Sequence, residues 1–370
     1  MSDHRVIVAG ASAGGVEAYI RFVGGLPSDF AAAVFLVLHI PSEFPSFLAD
    51  ILRSKTHLKV LPTEDGAPVT SGEIRVAPPG FHTLIQSGRM MLVRGPRENR
   101  HRPAVDPLFR SAASEYGPRA IGIILTGTLD DGTAGLFEIK RRGGIAIVQD
   151  PADAEQASMP ASALSSVDVD YCLPLARIPT LLSELVQRPL SESPPAVSCS
   201  NGHHTKPAPP KVPRAPGPRT PVPQHEIKVA AGDIVETFSD HRQPGSPSVY
   251  TCPECQGVLW EVQEGGLLRF RCRVGHAYSL DTISVGQAEA LEAALWNAMK
   301  ILEENVSVCR RLVQRAQEKN LAFLVNQYQA RIRKAEEQMK ILKRVLLSGP
   351  GTFPDFANSK EMAHGEAEAS

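Results

Sequence analysis

The stretch VIVAGASAGG, residues 6–15, decides the fold, because a run of apolar residues passes directly into a cluster of glycine, alanine and serine. A buried strand that ends in such a turn and continues into a helix is typical of α/β proteins. Glycine-rich turns of this kind commonly hold a phosphate at the N-terminus of the following helix. Here Ser12 stands in the middle of the turn, so the stretch is either a nucleotide-binding loop or the seat of a nucleophile.

Short apolar segments alternate with longer helix-like segments over the first 188 residues. This alternation predicts a doubly wound, Rossmann-like three-layer α/β fold, with a mostly parallel sheet covered by helices on both faces. The segment 59–94 has shorter strands and more turns, and we expect it to form an antiparallel β-hairpin insertion. The predicted strands are 5–9, 33–38, 59–62, 73–77, 89–94, 120–125 and 145–149, and the predicted helices are 15–25, 44–54, 104–116 and 132–142.

The composition gives no sign of a membrane protein or a nucleic-acid-binding protein. The 370 residues carry a formal net charge of -1, which provides no overall attraction to nucleic acid or anionic lipid. The longest strongly apolar run, residues 31–40, is about half the length that a bilayer span requires. Asp3 and Glu17 flank the first apolar segment, unlike the pattern of a signal peptide. We therefore expect a cytoplasmic protein without membrane insertion.

Changes in composition divide the chain into five predicted parts. Residues 1–188 form the α/β domain, and residues 189–248 form a proline-rich linker that cannot bury enough apolar surface to fold. Residues 249–280 contain closely spaced cysteines and a histidine. Residues 281–348 have apolar positions at helical spacing and predict a helical hairpin with a break near Lys319 and Asn320. Residues 349–370 predict a disordered tail.

Ser12 lies in the pattern G-x-S-x-G, formed by Gly10 and Gly14 around it. In a nucleophile elbow this pattern exposes a serine on a sharp strand-to-helix turn, and the helix N-terminus favours a developing oxyanion. A dinucleotide-binding loop instead needs glycine in place of Ser12 and an acidic residue at the end of the second strand. The second strand ends at His39, so the nucleophile interpretation is favoured and nucleotide binding becomes a minor alternative.

Two further strands place catalytic residue types at the same edge of the predicted sheet. His39 follows the second strand, and Asp130 and Asp131 follow the strand 120–125. Adjacent parallel strands deliver their carboxyl ends to one crevice, so these side chains can meet Ser12. One aspartate can cap the next helix while the other orients the histidine, as in a Ser-His-Asp triad. From the residues alone, the prediction is a serine acyl hydrolase.

The chain resembles the catalytic domain of the chemotaxis protein-glutamate methylesterases of CheB type over about residues 4–187. The resemblance lies in the successive motifs VIVAGASAGG, LHIP, VAPPGFH, RHRPAVDPLF, LTGTLDDGTAGL and MPASAL. It implies that Ser12 is the nucleophile, His39 the general base and Asp131 the orienting acid. Backbone N–H groups near Ala13 and Thr128 are then expected to hold the oxyanion. The family often has threonine at position 13 and a T-G-M-G loop where Thr128 and Leu129 stand here.

The same resemblance implies a reaction and a partner. The reaction is hydrolysis of γ-glutamyl methyl esters on the cytoplasmic helices of methylated chemoreceptors, with glutamine deamidation as a second activity and no catalytic cofactor. The well-known members carry an N-terminal phospho-receiver domain, for which a first strand starting near Arg5 leaves no room. A basic loop before the third long helix is either a solvated turn or a dock for an acidic receptor surface. Its candidate docking residues are Arg94, Arg97, Arg100 and Arg102, with His101 among them.

The cysteine module has the spacing C-x2-C-x16-C-x3-H, formed by Cys252, Cys255, Cys272 and His276. Three thiolates and one imidazole make a closed tetrahedral set, which predicts structural zinc in a ribbon-like module and leaves no open position for a catalytic metal. Two strands around Gly265 are expected to form a hairpin too small to be stable without the metal. The alternative is a set of unligated cysteines.

Two hypotheses about function therefore remain open from the sequence. The first is an active methylesterase. The second is a non-enzymatic signalling adaptor that keeps the esterase fold and acts through its zinc module and helices. The intact set of Ser12, His39 and Asp131 argues against the adaptor, since a scaffold has no chemical need for all three. The C-terminal helices could also mediate homo-oligomerisation.

Overall fold

The computed structural model describes residues 4–41, 44–188, 245–264 and 267–348. A seven-stranded parallel sheet forms the centre of the first part of the chain, with the strand order β3-β4-β2-β1-β7-β8-β9. Its strands are β1 (Val6–Ala11), β2 (Ala33–Leu38), β3 (Lys59–Pro62), β4 (Glu73–Val76), β7 (Ala120–Ile124), β8 (Ile145–Gln149) and β9 (Tyr171–Leu173). The order turns back at β1, as the doubly wound prediction requires, and this prediction is confirmed.

Helices cover both faces of this sheet, and the four central strands β1, β2, β7 and β8 are entirely buried between them. One hydrophobic cluster joins the sheet to α1 (Gly15–Gly24), α2 (Leu48–Arg53) and α6 (Ile178–Gln187). The cluster on the opposite face includes residues of α3 (Val105–Tyr116), α4 (Thr133–Arg141) and α5 (Ser158–Ser166). Burial on both faces explains why these strands are continuous apolar runs rather than alternating ones.

The prediction of an antiparallel hairpin over 59–94 is wrong for its first half. β3 and β4 pair in parallel with each other, and β4 pairs in parallel with β2, so both extend the main sheet. The antiparallel hairpin consists only of β5 (His82–Gln86) and β6 (Arg89–Val93), of which β5 had no counterpart in the predicted strands. The alternating burial of β3, an edge strand, gives it the same sequence pattern as a hairpin strand.

A second, antiparallel sheet lies in the cysteine region, with the order β10-β11-β12-β13. Its strands are β10 (Ser246–Thr251), β11 (Val258–Glu264), β12 (Leu267–Cys272) and β13 (Ala277–Tyr278). The predicted hairpin is present as β11 and β12, and the outer strands complete the sheet. This sheet belongs to the same compact unit as the α/β fold, which extends to Thr282.

The second compact unit begins at Ile283 and is dominated by two long helices, α7 (Leu280–Glu318) and α8 (Ala322–Ser348). The break between them lies where it was predicted, and Arg310 of α7 bonds Glu336 of α8 at 3.0 Å. The predicted linker (residues 189–248) falls outside the described residues up to position 244, as does the predicted tail. Among the described residues, no helix is both long enough and apolar enough to cross a bilayer.

The hydroxyl of Tyr19 joins the two central strands, because its oxygen lies 2.9 Å from the carbonyl oxygen of Ala9 and 2.7 Å from that of Val37. Tyr19 is completely buried. Tyr19→Phe removes the hydroxyl without opening a large cavity, and we expect a loss of about 1–2 kcal/mol in the free energy of unfolding. Urea unfolding followed by fluorescence measures it. Tyr250→Phe, at a half-buried ring, is the matched control, and an equal loss in both variants would contradict the assignment.

Candidate active site

Ser12 directly follows β1, in the turn that leads into α1. The turn is closed by a hydrogen bond from the Gly15 N–H to the Ser12 carbonyl oxygen at 2.9 Å. Gly14 adopts a left-handed conformation with φ 76°, which is strained for other residues. A Cβ on Gly14 would also lie 2.7 Å from a carboxylate oxygen of Glu155. The glycines therefore permit the sharp turn that leaves Ser12 at the carboxyl edge of the sheet.

The structure brings the three predicted triad residues into one hydrogen-bonded chain. His39 follows β2, and its Nδ1 lies 3.1 Å from the Ser12 hydroxyl oxygen. Its Nε2 lies 2.7 Å from Oδ2 of Asp131. Since a carboxylate only accepts hydrogen bonds, Nε2 carries the hydrogen and Nδ1 offers its lone pair to the serine hydroxyl. The arrangement is that of a serine nucleophile with a base and an orienting acid.

Asp131 is held at the N-terminus of α3 by several donors. Val105 N–H donates to Oδ2 at 2.7 Å, and Asp106 N–H donates to Oδ1 at 3.3 Å. The side-chain amide of Asn99 donates to Oδ1 at 2.9 Å. Burial opposes ionisation of Asp131, but the hydrogen bond and charge of His39, together with the other donors, hold the pKa of this carboxyl well below its usual range. Asp131 is therefore a fixed carboxylate.

Asp130, the other candidate acid, does not occupy this position. Its backbone carbonyl accepts from Thr133 N–H at 3.1 Å, so it helps to begin α4 through its main chain. Burial and nearby carboxylates raise the pKa of its side chain to about 6, although the hydrogen bond with Ser279 acts in the opposite direction. Of the two aspartates, the one beside His39 is Asp131.

The loop after β7 lies against the nucleophile. A Cβ on Gly127 would lie 2.9 Å from the Ser12 Cβ and 2.1 Å from the Met159 sulfur, so only glycine fits there. The Ser12 N–H already donates to the Thr126 carbonyl oxygen at 3.0 Å and is occupied. Ala13 and Thr128, the two predicted oxyanion donors, are both exposed beside this close approach. Their positions suit donation to a substrate, and that role remains a prediction.

His101 packs on the base. Its ring is stacked on that of His39, with the centroids 3.7 Å apart and the planes 10° from parallel. Burial, together with the neighbouring His39, lowers the pKa of His101 to about 3. His101 is therefore neutral near pH 7, so it adds no charge to the basic loop in which the sequence placed it. The stack restrains the plane of the catalytic imidazole.

The four candidate docking arginines have different environments. Arg94 is exposed, with its guanidinium 5.2 Å from the centre of the Phe81 ring. Arg97 and Arg100 are half-buried, and Arg102 is also half-buried and donates to the carbonyl oxygen of Gly95 at 2.8 Å. Only the first of the four thus presents a largely exposed cation.

The four predicted metal ligands form a cluster whose donor atoms all lie within 4.8 Å of one another. His276 Nδ1 lies 3.6 Å from Cys252 Sγ and 3.4 Å from Cys272 Sγ, and Cys255 Sγ lies 3.6 Å from Cys272 Sγ. Zinc bond lengths of about 2.3 Å to sulfur and 2.0 Å to nitrogen give a tetrahedron with edges of about 3.5–3.8 Å. The spacing of the donors therefore fits a metal ion of this size.

Two further side chains support the cluster. The other ring nitrogen of His276, Nε2, lies 3.4 Å from a carboxylate oxygen of Glu254, a common arrangement around a metal-bound imidazole. The Tyr278 hydroxyl lies 3.3 Å from Cys252 Sγ. The cluster can hold a metal, and the surrounding groups fix the orientation of its ligands.

Sequence reasoning missed several residues that complete the active site. They are His101 on the base, Asn99 and Asp106 around the acid, and Gly127 and Met159 at the nucleophile. His101 and Asp106 both lie in the quoted motif RHRPAVDPLF, and Met159 begins MPASAL. The motifs therefore carried a signal, but assigning a contact to each residue requires the three-dimensional arrangement of the loops.

Comparison with known proteins agrees with this geometry. The model of the CheB methylesterase family matches residues 7–182. A Leptospira interrogans protein (serovar copenhageni, strain Fiocruz L1-130) named "Putative protein-glutamate methylesterase/protein-glutamine glutaminase" is 38% identical over 191 residues, which are 51% of this chain and 99% of that protein. Protein-glutamate methylesterase/protein-glutamine glutaminase 5 of Anaeromyxobacter dehalogenans (strain 2CP-C) is 42% identical over 50% of this chain and 52% of its own length.

A solved structure is also similar. The crystal structure of the Thermotoga maritima CheB methylesterase catalytic domain has 36% sequence identity and a TM-score of 0.48, covering 50% of this chain and 100% of that one. The near-complete coverage of the Leptospira protein at 38% identity decides the assignment. The chain belongs to the CheB methylesterase family.

Proposed function

We propose that this chain is a protein-glutamate methylesterase in which Ser12 is the nucleophile, His39 the general base and Asp131 the orienting acid. The observation that carries the proposal is the continuous hydrogen-bonded chain from the Ser12 hydroxyl through His39 to a buried carboxylate. The relatives named as protein-glutamate methylesterases supply the substrate class, a γ-glutamyl methyl ester on a chemoreceptor. The conserved function as a pure adaptor has no comparable support in the geometry.

Acylation begins when Ser12 Oγ attacks the ester carbonyl carbon and transfers its proton to His39 Nδ1. The imidazolium that forms is stabilised by Asp131 through the 2.7 Å hydrogen bond at Nε2. Backbone N–H groups near Ala13 and Thr128 hold the oxyanion of the tetrahedral intermediate. Collapse of the intermediate breaks the bond to methoxide, which takes the proton from His39 and leaves as methanol.

Deacylation repeats the same steps with water. His39 takes a proton from the water as it attacks the acyl-enzyme, and then returns a proton to Ser12 Oγ as glutamate is released. A glutamine side chain can follow the same route, with ammonia as the leaving group. This is the glutaminase activity in the names of the relatives.

The proposed substrate lies on the cytoplasmic helices of a methylated chemoreceptor. A basic loop beside the active site suits a partner with acidic side chains, since complementary charge speeds encounter. Arg94 carries most of this role because its cation is exposed. Arg97, Arg100 and Arg102 contribute from half-buried positions.

Ser12→Ala removes the nucleophile and should lower methanol release from a methylated receptor fragment by about 10³-fold or more, because no acyl-enzyme can form. The measurement is methanol release by the full chain, with circular dichroism to establish that the fold is intact. Ser165→Ala, at an exposed serine of α5, is the matched control and should retain wild-type turnover. Unchanged turnover in Ser12→Ala would rule out the proposed nucleophile.

Asp131→Asn should lower kcat by about 10⁴-fold. Every contact that Asp131 makes is with a donor, so either orientation of an asparagine amide brings N–H groups together. We therefore also expect a loss of stability of about 1–3 kcal/mol. Asp130→Asn, one residue away, should have a much smaller effect on kcat. A comparable loss of kcat in both variants would mean that the orienting acid has been assigned wrongly.

We further propose that Cys252, Cys255, Cys272 and His276 hold one structural zinc ion. The fit is shown by the donor spacing and by Glu254 at the far nitrogen of His276. When bound, zinc supplies a closed tetrahedral crosslink between the two ends of the small sheet. The four protein ligands leave no open position at the metal for chemistry.

Metal analysis of the purified full chain should find about one zinc per chain. Cys255→Ser should lower that content and destabilise the second sheet, because a structural zinc contributes directly to folding. Cys309→Ser, at a cysteine of α7 outside the cluster, is the matched control. Zinc contents far below one in the wild type, after preparation without chelators, would argue for unligated cysteines.

A further inference from the structure

The second sheet contacts the loop that supports the triad. Glu98 and Ala277 of β13 form a parallel bridge, and the Asn99 N–H donates to the Ala277 carbonyl oxygen at 2.8 Å. The Ala277 N–H donates in turn to the carbonyl oxygen of Arg97 at 3.4 Å. The zinc module therefore adds the loop 97–99 to its own edge strand, by main-chain pairing.

This pairing fixes an unfavourable backbone conformation. Asn99 has φ 48° and Arg100 has φ 70°, a region in which non-glycine residues are uncommon. The side-chain amide of Asn99 donates to both Asp131 and Asp106. Holding the Asn99 main chain through Ala277 thus directs its amide toward the acid of the triad.

An arginine of the module completes a buried cluster of charges beside that acid. Arg269 on β12 donates through Nη1 to Asp106 Oδ2 at 3.0 Å, and its Nη2 lies 3.6 Å from a carboxylate oxygen of Glu98. Arg110 of α3 donates to both oxygens of Glu98, at 2.6 and 2.8 Å. All four side chains are buried. The α/β fold therefore contributes two carboxylates and one of these two guanidinium groups, and the module contributes the other.

The position of Asp106 makes this charge matter for the active site. Its Oδ2 accepts the same Asn99 amide that donates to Asp131, and its own N–H donates to Asp131. Removal of Arg269 leaves Asp106 as a buried carboxylate without this cationic partner, and such a group draws other donors toward itself or becomes protonated. Either response shifts Asn99 and the start of α3, on which the position of Asp131 depends.

We propose that Arg269 is a positioning residue for the esterase reaction, and that the metal-holding module thereby completes the active site of the α/β fold. Arg269 acts through Asp106 and Asn99 on Asp131, and through Asp131 on His39. The metal cluster contributes because Arg269 and Ala277 lie on the two strands that carry or adjoin its ligands Cys272 and His276. The inference rests on the proposed function, and its structural part can be tested separately.

The test compares full-length wild type with Arg269→Met, Arg269→Lys and the matched control Arg273→Met, at an exposed arginine of the same module. Three readouts are taken together: steady-state methanol release, the rate at which a fluorophosphonate labels Ser12, and the downfield proton resonance of the hydrogen on His39 Nε2. Zinc content is measured for each protein, so that a damaged metal site is recognised.

Arg269→Met should lower kcat by about 10- to 100-fold, as expected for a misplaced catalytic group, with KM changed by less than about twofold. Labelling of Ser12 should slow in parallel, and the Nε2–H resonance should broaden or shift. Arg269→Lys keeps the charge but loses the bidentate geometry and should be intermediate. Arg273→Met should match the wild type. Removal of zinc from the wild type with a chelator should reproduce the effects of Arg269→Met on labelling and on the resonance.

Wild-type kcat, labelling and resonance in Arg269→Met would overturn the inference. An increased kcat would also overturn it and would identify the module as a cover that restrains the site. If Arg269→Met fails to fold, Arg269→Lys and zinc removal from the wild type decide the question. A wild type that releases no methanol but is labelled at Ser12 would refute the proposed substrate, while the labelling rates and the resonance would still test Arg269.

Discussion

The active site depends on one buried carboxylate, Asp131, whose two oxygens accept from four donors. A buried carboxylate without such partners would be neutralised by protonation, and it could then no longer stabilise an imidazolium. The donors come from three places in the chain: His39 after β2, Asn99 in the loop after β6, and the first residues of α3. Satisfying this one group therefore requires the sheet, the loop and the helix to be in position together.

The parallel sheet supplies the rest of the arrangement at little cost. β1 lies between β2 and β7, so the turn carrying Ser12 is flanked by the strand ends that carry His39 and Asp131. Strand ends in a packed sheet are among the most rigid parts of a protein, which suits groups that must keep their distances during a reaction. The close approach of Gly127 to Ser12 is part of the same design, since a larger residue would displace the nucleophile or Met159.

The sequence allowed the triad to be predicted because strand order and strand ends follow from local patterns. Ser12, His39 and Asp131 each end an apolar run, and parallel strands converge at one edge. The position of β3 could not be predicted in this way, since an exposed edge strand with alternating burial has the same pattern in parallel and antiparallel pairing. His101, Asn99 and Arg269 were not assigned because their roles depend on how loops and a distant module pack, and no periodicity in the sequence encodes that packing.

The ion pair between Arg269 and Asp106 joins residues 163 positions apart in the chain. Ribosomes add about 5–20 residues per second, so the arginine is made about 10–30 seconds after the aspartate that it bonds. During that interval the α/β segment can fold, but one cation of its buried cluster does not yet exist. A nascent chain thus gains its complete catalytic centre only after the module has been synthesised and docked. Full activity then marks a finished polypeptide, and fragments that end before the module are poor esterases.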